Sequence, residues 1–132
     1  MTGEYQIIVV DDDQEDHMIM LDYFKESGKD KHVKFLLNGQ QAIDHLNGLS
    51  DGSLPRLIVL DLNMPILNGT QTLYFIKRNI RYKDIPVIIF STSENEIERR
   101  KCLSIGALDY IVKPSTYDDG LRMIQKFSSY IT

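Results

Sequence analysis

Three aspartates stand in a row at Asp11-Asp12-Asp13, and a fourth, Asp61, stands alone in the stretch LIVLDLNMPILNG, directly after four apolar residues. Hydroxyls collect further on at Ser91-Thr92-Ser93, and a lysine precedes a proline at Lys113-Pro114. Carboxylates gathered at one spot repel one another, and a cation relieves that conflict. Magnesium suits such a set: it is hard, takes oxygen ligands, is content with one or two carboxylates, and keeps positions open for phosphate oxygens. A lysine ammonium and a serine hydroxyl would serve the same anion as charge partner and hydrogen-bond donor. Taken singly, each of these residues reads more readily as a turn former or helix cap. Asp13 in particular reads as the N-cap of a following helix. The chemistry requires that the others meet.

The elements between them say whether they can. Short β-branched apolar runs recur at Gln6–Val10, Val33–Leu37, Leu57–Leu60, Val87–Phe90 and Tyr110–Val112. Most are apolar throughout rather than alternating, which is the pattern of strands covered on both faces. Segments of helical length lie between and after them: Gln14–Ser27, Gln40–Leu46, Gly69–Ile80, Glu94–Ile105 and Tyr117–Ile131. Ser93 is the expected N-cap of the fourth and Gly106 its expected C-terminal stop. The polar stretch Asn47–Pro55 reads as a surface loop.

Strand and helix alternate five times, which predicts a parallel sheet, because parallel neighbours need a crossover and a helix supplies it. Right-handed crossovers wrap helices onto both faces. Five strands are too few to close an eight-stranded barrel, so the expected class is α/β, a doubly wound open five-stranded parallel sheet with five helices. In such sheets the functional crevice lies at the carboxyl ends of the strands. That edge is where Asp11, Asp12, Asp61, Ser91 and Lys113 all fall.

Composition narrows the function further. The chain has 132 residues, 15 Lys and Arg against 19 Asp and Glu, and a net charge of −4. That balance argues against a nucleic-acid-binding module, and the cluster Arg99-Arg100-Lys101 reads as a solvated helix face. A single domain spanning residues 1–132 is expected at this length. Cys102 is the only cysteine, which fits a reducing cytoplasm. No apolar run approaches the length of a membrane span, and no basic-then-apolar leader opens the chain. His17, His32 and His45 are scattered without metal-ligand spacing.

The motifs VVDDD, LIVLDLNMPILNG, IIFSTS and YIVKP, in this order and at these intervals, resemble the receiver domain of bacterial two-component response regulators. The resemblance runs from Tyr5 to about Tyr130. It implies a CheY-like receiver with the flavodoxin-like architecture, a phosphoprotein of phosphorelay signal transduction rather than a turnover enzyme. By position, Asp61 matches the phosphoacceptor that attacks a phosphoryl group carried on a histidine of a kinase. Asp12 matches the direct ligand of Mg²⁺, Asp11 a ligand acting through water, and Asn63 the position whose backbone carbonyl reaches the metal. Ser91 matches the switch hydroxyl, Lys113 the lysine that pairs with the phosphoryl group, and Tyr110 the aromatic switch position. Without the family, Tyr110 reads as an edge aromatic with its hydroxyl in water. The resemblance also implies a cis bond before Pro114.

Thr92 stands where many receivers carry Ala or Gly, and Ser93 is short where some relatives have a long side chain. These positions and Asn63 are expected to tune the lifetime of the phosphoryl group. The long loop Asn47–Pro55 together with FSTS resembles stand-alone regulators that accompany bacterial phytochrome kinases. The partners implied are a sensor histidine kinase (a bacteriophytochrome) or a phosphotransfer protein, and a second copy through the face of the fourth helix, fifth strand and fifth helix. Three other readings compete. A phosphate sink without conformational output uses the same residues. An aspartyl-phosphate phosphatase wants a second aspartate two residues after the nucleophile, where this chain has Asn63. A flavodoxin-like binding module wants a Gly- or Ser/Thr-rich loop after the first strand, where this chain has DDDQEDH.

Overall fold

The computed structural model describes residues 5–64 and 66–131; Pro65 of the Asp61 turn and residues 1–4 and 132 lie outside them. Five strands, β1 (Ile7–Val10), β2 (Val33–Leu36), β3 (Leu57–Leu60), β4 (Val87–Ser91) and β5 (Asp109–Val112), pair in parallel in the order β2-β1-β3-β4-β5. Between and after them run α1 (Gln14–Glu26), α2 (Gly39–Asn47), α3 (Gly69–Arg78), α4 (Glu96–Ile105) and α5 (Tyr117–Ser128). The doubly wound open sheet expected from the alternation is the one observed.

The unbroken apolar runs are explained by what covers them. β1, β3 and β4 are buried at every position, and successive side chains go to opposite faces. Ile8, Val10, Ile58, Leu60 and Ile89 pack with Ala42 and Leu46 of α2, Leu73 and Ile76 of α3, and Cys102 of α4. Ile7, Val9, Val59, Ile88 and Phe90 pack on the other face with Met20 and Phe24 of α1 and Met123, Ile124 and Phe127 of α5. The sheet is thus sealed by α2, α3 and α4 on one side and by α1 and α5 on the other. Its carboxyl edge carries the buried carboxylates of Asp11 and Asp61 and the buried hydroxyl of Ser91.

Local details depart from the sequence expectations in several places. α3 ends at Arg78, short of the expected Ile80, which is exposed. α4 begins at Glu96, two residues later than expected, because Asn95 rather than Ser93 is its N-cap: the Asn95 side chain accepts from the amides of Ile97 and Glu98. Ser93 Oγ instead accepts from the Asn95 amide and shapes the turn before the helix. The final helix gives way to a 3₁₀ turn at Ser129–Ile131. Among the described residues no peptide bond is cis, so the bond before Pro114 is trans, the form that X-Pro bonds ordinarily favour.

The loop after α2 is exposed at its tip but is not loose. Arg81 reaches back across it, with Nε 2.7 Å from Asp51 and a second guanidinium nitrogen donating to the Leu49 carbonyl at 2.7 Å. The buried Tyr82 donates its hydroxyl to Asn47 Oδ1.

Candidate functional site

Strand ladders carry the site residues to the edge. The Asp61 amide donates to the Val10 carbonyl at 2.9 Å and the Asp11 amide to the Leu36 carbonyl at 3.0 Å, so the hydrogen bonding of the sheet continues one residue beyond the strands. The Lys113 amide donates in the same way to the Ser91 carbonyl at 2.8 Å. Gly69, the first residue of α3, packs so closely under the β3 tip that a Cβ there would lie 2.1 Å from the Asp61 carbonyl oxygen. Asp13 caps α1 as expected, accepting from the Glu15 amide at 2.9 Å. Its own amide donates to Asp11 Oδ1 at 3.0 Å.

Asp11, Asp12 and Asp61 each present a carboxylate oxygen within 4.8 Å of the other two. Asp11 and Asp61 are buried and Asp12 is exposed. Burial pushes the Asp11 carboxyl up from 3.8 to about 7, against the lowering effects of the Asp13 amide and Lys113. Burial raises Asp61 as well, while Lys113 and the Asn63 amide pull it back. Lys113 Nζ lies 3.0 Å from Asp11 Oδ2 and 3.6 Å from Asp61 Oδ2. It also stands 4.7 Å above the Phe90 ring, a cation–π contact that the buried strand β4 offers. Burial disfavours the ammonium, but hydrogen bonds to Asp16 and Asp11 outweigh that and hold its pKa above the ordinary lysine value.

One ammonium does not balance this much buried carboxylate. The donor set is all oxygen, partly buried and open to solvent on the Asp12 side, which fits a hard divalent cation.

The remaining expected residues lie on β4, β5 and the loop after β3. Ser91 ends β4 fully buried, with its hydroxyl oxygen accepting from the Ser93 amide at 3.2 Å. Asn63 is exposed in the loop after Asp61. Tyr110 overturns the edge-aromatic reading. Its ring is buried against the α2–α3–α4 side of the core, and its hydroxyl donates to the Ser93 carbonyl at 2.9 Å.

Two neighbours are not singled out by the sequence. Asp16, in the first turn of α1, is the closest acid to Lys113, at 2.8 Å. His17 donates from Nε2 to the Asp11 carbonyl at 2.6 Å, since a carbonyl can only accept, and its ring packs on Phe35 at 5.1 Å. Nothing local in DDDQEDH distinguishes Asp16 from the other acids on a solvated helix; only the 97-residue contact with Lys113 does.

Residues 7–125 match the family model described as "Response regulator receiver domain". The chain is 31% identical over 126 residues to the probable methanogenesis regulatory protein FilR2 of Methanothrix harundinacea, covering 94% of this chain and 81% of that one. The crystal structure of the Mn²⁺-bound response regulator Rcp1 superposes with a TM-score of 0.80 at 31% identity, covering 93% of this chain and 91% of that one. The phosphorylated cyanobacterial phytochrome response regulator RcpA superposes with a TM-score of 0.84 at 26% identity, covering 97% and 94%. The chain also matches protein-glutamate methylesterases, but spans only about a third of their length, 32% for that of Methanococcoides burtonii.

The chain therefore belongs to the response regulator receiver family, homologous to regulators such as Rcp1 and RcpA, and its class of function is phosphorelay signalling.

Proposed function

We propose that this chain is a single receiver domain whose Asp61 accepts a phosphoryl group from a phosphohistidine of a sensor kinase. The observation that carries the reading is the meeting of Asp11, Asp12, Asp61 and Lys113 at one open edge of the sheet. In the transfer, an Asp61 carboxylate oxygen forms a bond to phosphorus as the nitrogen–phosphorus bond breaks, and the imidazole leaves with the bonding pair. Phosphoryl transfer asks the protein mainly for positioning and charge stabilisation.

The chain's own groups answer both needs. The β3 ladder fixes Asp61 at the tip, and Lys113 stands close enough to move onto a new phosphoryl oxygen. Ser91 offers a hydroxyl on the adjacent strand. Mg²⁺ held by Asp12, Asp61 and the Asn63 carbonyl, with Asp11 acting through water, would neutralise acceptor and donor alike. Rcp1 is a relative described as Mn²⁺-bound, which supports a divalent cation at this edge.

The output of the reading is a conformational bias centred on Ser91 and Tyr110. Tyr110 already stands inward with its hydroxyl on the loop that leads to α4. Phosphorylation then stabilises this arrangement through Ser91 rather than creating it. Moving such a switch from mostly off to mostly on takes on the order of 5 kcal/mol of differential stabilisation. The partner that fits is a sensor histidine kinase of the phytochrome class in a cytoplasmic setting, because RcpA is a phytochrome response regulator. A second copy would pair through α4, β5 and α5, where Ile97, Leu108 and Val112 are exposed.

The test is intact mass after incubation with acetyl phosphate and Mg²⁺, with EDTA and Asp61→Asn as controls. A gain of one phosphoryl group that needs both the cation and Asp61 supports the reading. No gain on the folded, cation-loaded wild type refutes it.

A further inference from the structure

Lys113 is surrounded by three acids, and the one it sits nearest has no part in the transfer just described. Its Nζ is 2.8 Å from Asp16 Oδ2, 3.0 Å from Asp11 Oδ2 and 3.6 Å from Asp61 Oδ2. Two of its N–H groups are therefore hydrogen-bonded to Asp16 and Asp11, while Asp61 is within ion-pair range but beyond hydrogen-bonding distance. Lysine carries only three donors on a compact ammonium, so contacts compete.

Asp16 is well placed to win that competition. It lies on the first turns of α1, whose start is fixed to the β1 tip by the Asp13 cap and by the bond from His17 to the Asp11 carbonyl. Its position relative to Lys113 is set by the fold rather than by a flexible loop. The Lys113 ammonium lies over the Phe90 ring, and both residues line a small cavity of about 70 Å³ together with Asp16, Met20, Tyr23 and Met123. The ammonium is thus drawn toward α1 and away from the acceptor.

We propose that Asp16 is a positioning residue that parks Lys113 against α1, so that its carboxylate competes with a phosphoryl group on Asp61 for the same ammonium. The inference rests on the reading of Asp61 as the acceptor. A phosphoryl oxygen on Asp61 takes Lys113 only as the ammonium leaves Asp16, and Asp16 thereby sets the balance between the unphosphorylated and phosphorylated states. Weakening the parked contact shifts that balance toward the phosphorylated state, a gain that a damaged fold does not produce.

Asp16→Asn removes the charge and keeps the shape; Asp16→Ser also removes the charge, with a smaller side chain, and guards against a folding defect in the first. Glu15→Gln is the charge control, since Glu15 is an exposed acid on the same turn with no side-chain contact to Lys113. The probe is fluoroberyllate with Mg²⁺, followed by ¹⁹F NMR, together with the rate of mass gain from acetyl phosphate. Releasing an ion pair of this kind is expected to tighten fluoroberyllate binding and speed phosphorylation by about five-fold in both Asp16 variants. Glu15→Gln should stay within about two-fold of wild type, as expected of a screened surface charge. Binding unchanged or weakened in folded Asp16→Asn and Asp16→Ser overturns the proposal, and so does an equal gain in Glu15→Gln. Failure of the acceptor reading looks different: the wild type then gains no mass and behaves like Asp61→Asn.

Discussion

The Tyr110 hydroxyl donates to the Ser93 carbonyl at 2.9 Å, which ties the middle of β5 to the loop between β4 and α4. The same loop is held from the other side by the Ser93 amide on Ser91 Oγ, so the buried hydroxyl beside the acidic edge and the buried ring on β5 share one segment of backbone. Ser93 therefore links Ser91 to Tyr110 through two hydrogen bonds, one to its amide and one to its carbonyl.

Tyr110→Phe keeps the ring in its pocket and removes only the tether. The variant should lose about 1 kcal/mol of stability in urea unfolding, the usual net worth of such a hydrogen bond. The ring also loses its anchor in the inward position, so hydrogen exchange in residues 92–95 should quicken. Unchanged exchange there would show that Ser93 is held by Ser91 alone.

The pH response of the cation-free protein follows from Asp11. Its folded pKa is about 7 against an ordinary 3.8, so the folded state prefers the carboxyl protonated. The contribution of such a group is complete below pH 3.8 and is lost as the pH rises through 7. Asp11→Asn is neutral at every pH and retains the neighbouring Asp61, whose shift has the same sign. In EDTA, wild-type stability should therefore fall relative to Asp11→Asn between about pH 4 and pH 7. Mg²⁺, by favouring the ionised carboxylate, should reduce that fall. Parallel melting curves for the two proteins across this range would refute the burial argument.

The features legible in the sequence were those carried by local pattern. Apolar runs such as LIVL and VIIF announce strands covered on both faces, and the carboxyl-edge rule then places Asp11, Asp61, Ser91 and Lys113 on one rim. The misplaced start of α4 shows where pattern fails: Ser93 and Asn95 are both good caps two residues apart, and the Ser93 hydroxyl is occupied in accepting from the Asn95 amide, which leaves the Asn95 side chain to cap the helix. The resemblance named Tyr110, but local pattern read its ring as an edge aromatic, and Asp16 was not singled out at all, both for a different reason. Whether an aromatic on β5 turns inward, or which acid of α1 meets Lys113, depends on packing between residues far apart in the chain.

Ile66 has φ +70°, in the left-handed region that a β-branched residue rarely adopts, and its side chain is exposed. The strain sits five residues after Asp61, in the loop that leads to α3. Ile66→Asn should relieve it and stabilise the fold by about 1 kcal/mol, because asparagine tolerates this conformation. Urea unfolding decides the matter; a loss of stability would mean that the side chain makes contacts worth more than the strain.

Gly69→Ala tests how closely α3 supports the β3 tip. The added Cβ would meet the Asp61 carbonyl oxygen at 2.1 Å and Leu62 Cα at 2.6 Å, both backbone atoms that cannot rotate away. The helix or the strand end must shift, at a cost of about 1–3 kcal/mol. Since the shift falls on Asp61 itself, divalent-cation affinity should fall along with stability. A stability loss with unchanged affinity would place the adjustment in α3 instead.

Lys113→Ala separates the two ways in which the acidic edge can be neutralised. In the absence of divalent cations Lys113 is the cation next to Asp11 and Asp61, which are both buried. Removing one partner of a buried ion pair leaves the other charge uncompensated, and about 3 kcal/mol of stability should be lost in EDTA. The carboxyls have a second escape, which is to take up protons, so the loss should be smaller at pH 5 than at pH 8. Added Mg²⁺ should stabilise the variant more than the wild type, because it enters a site from which a competing positive charge has gone. Equal stabilisation of both proteins by Mg²⁺ would mean that the ammonium and the metal do not act on the same carboxylates.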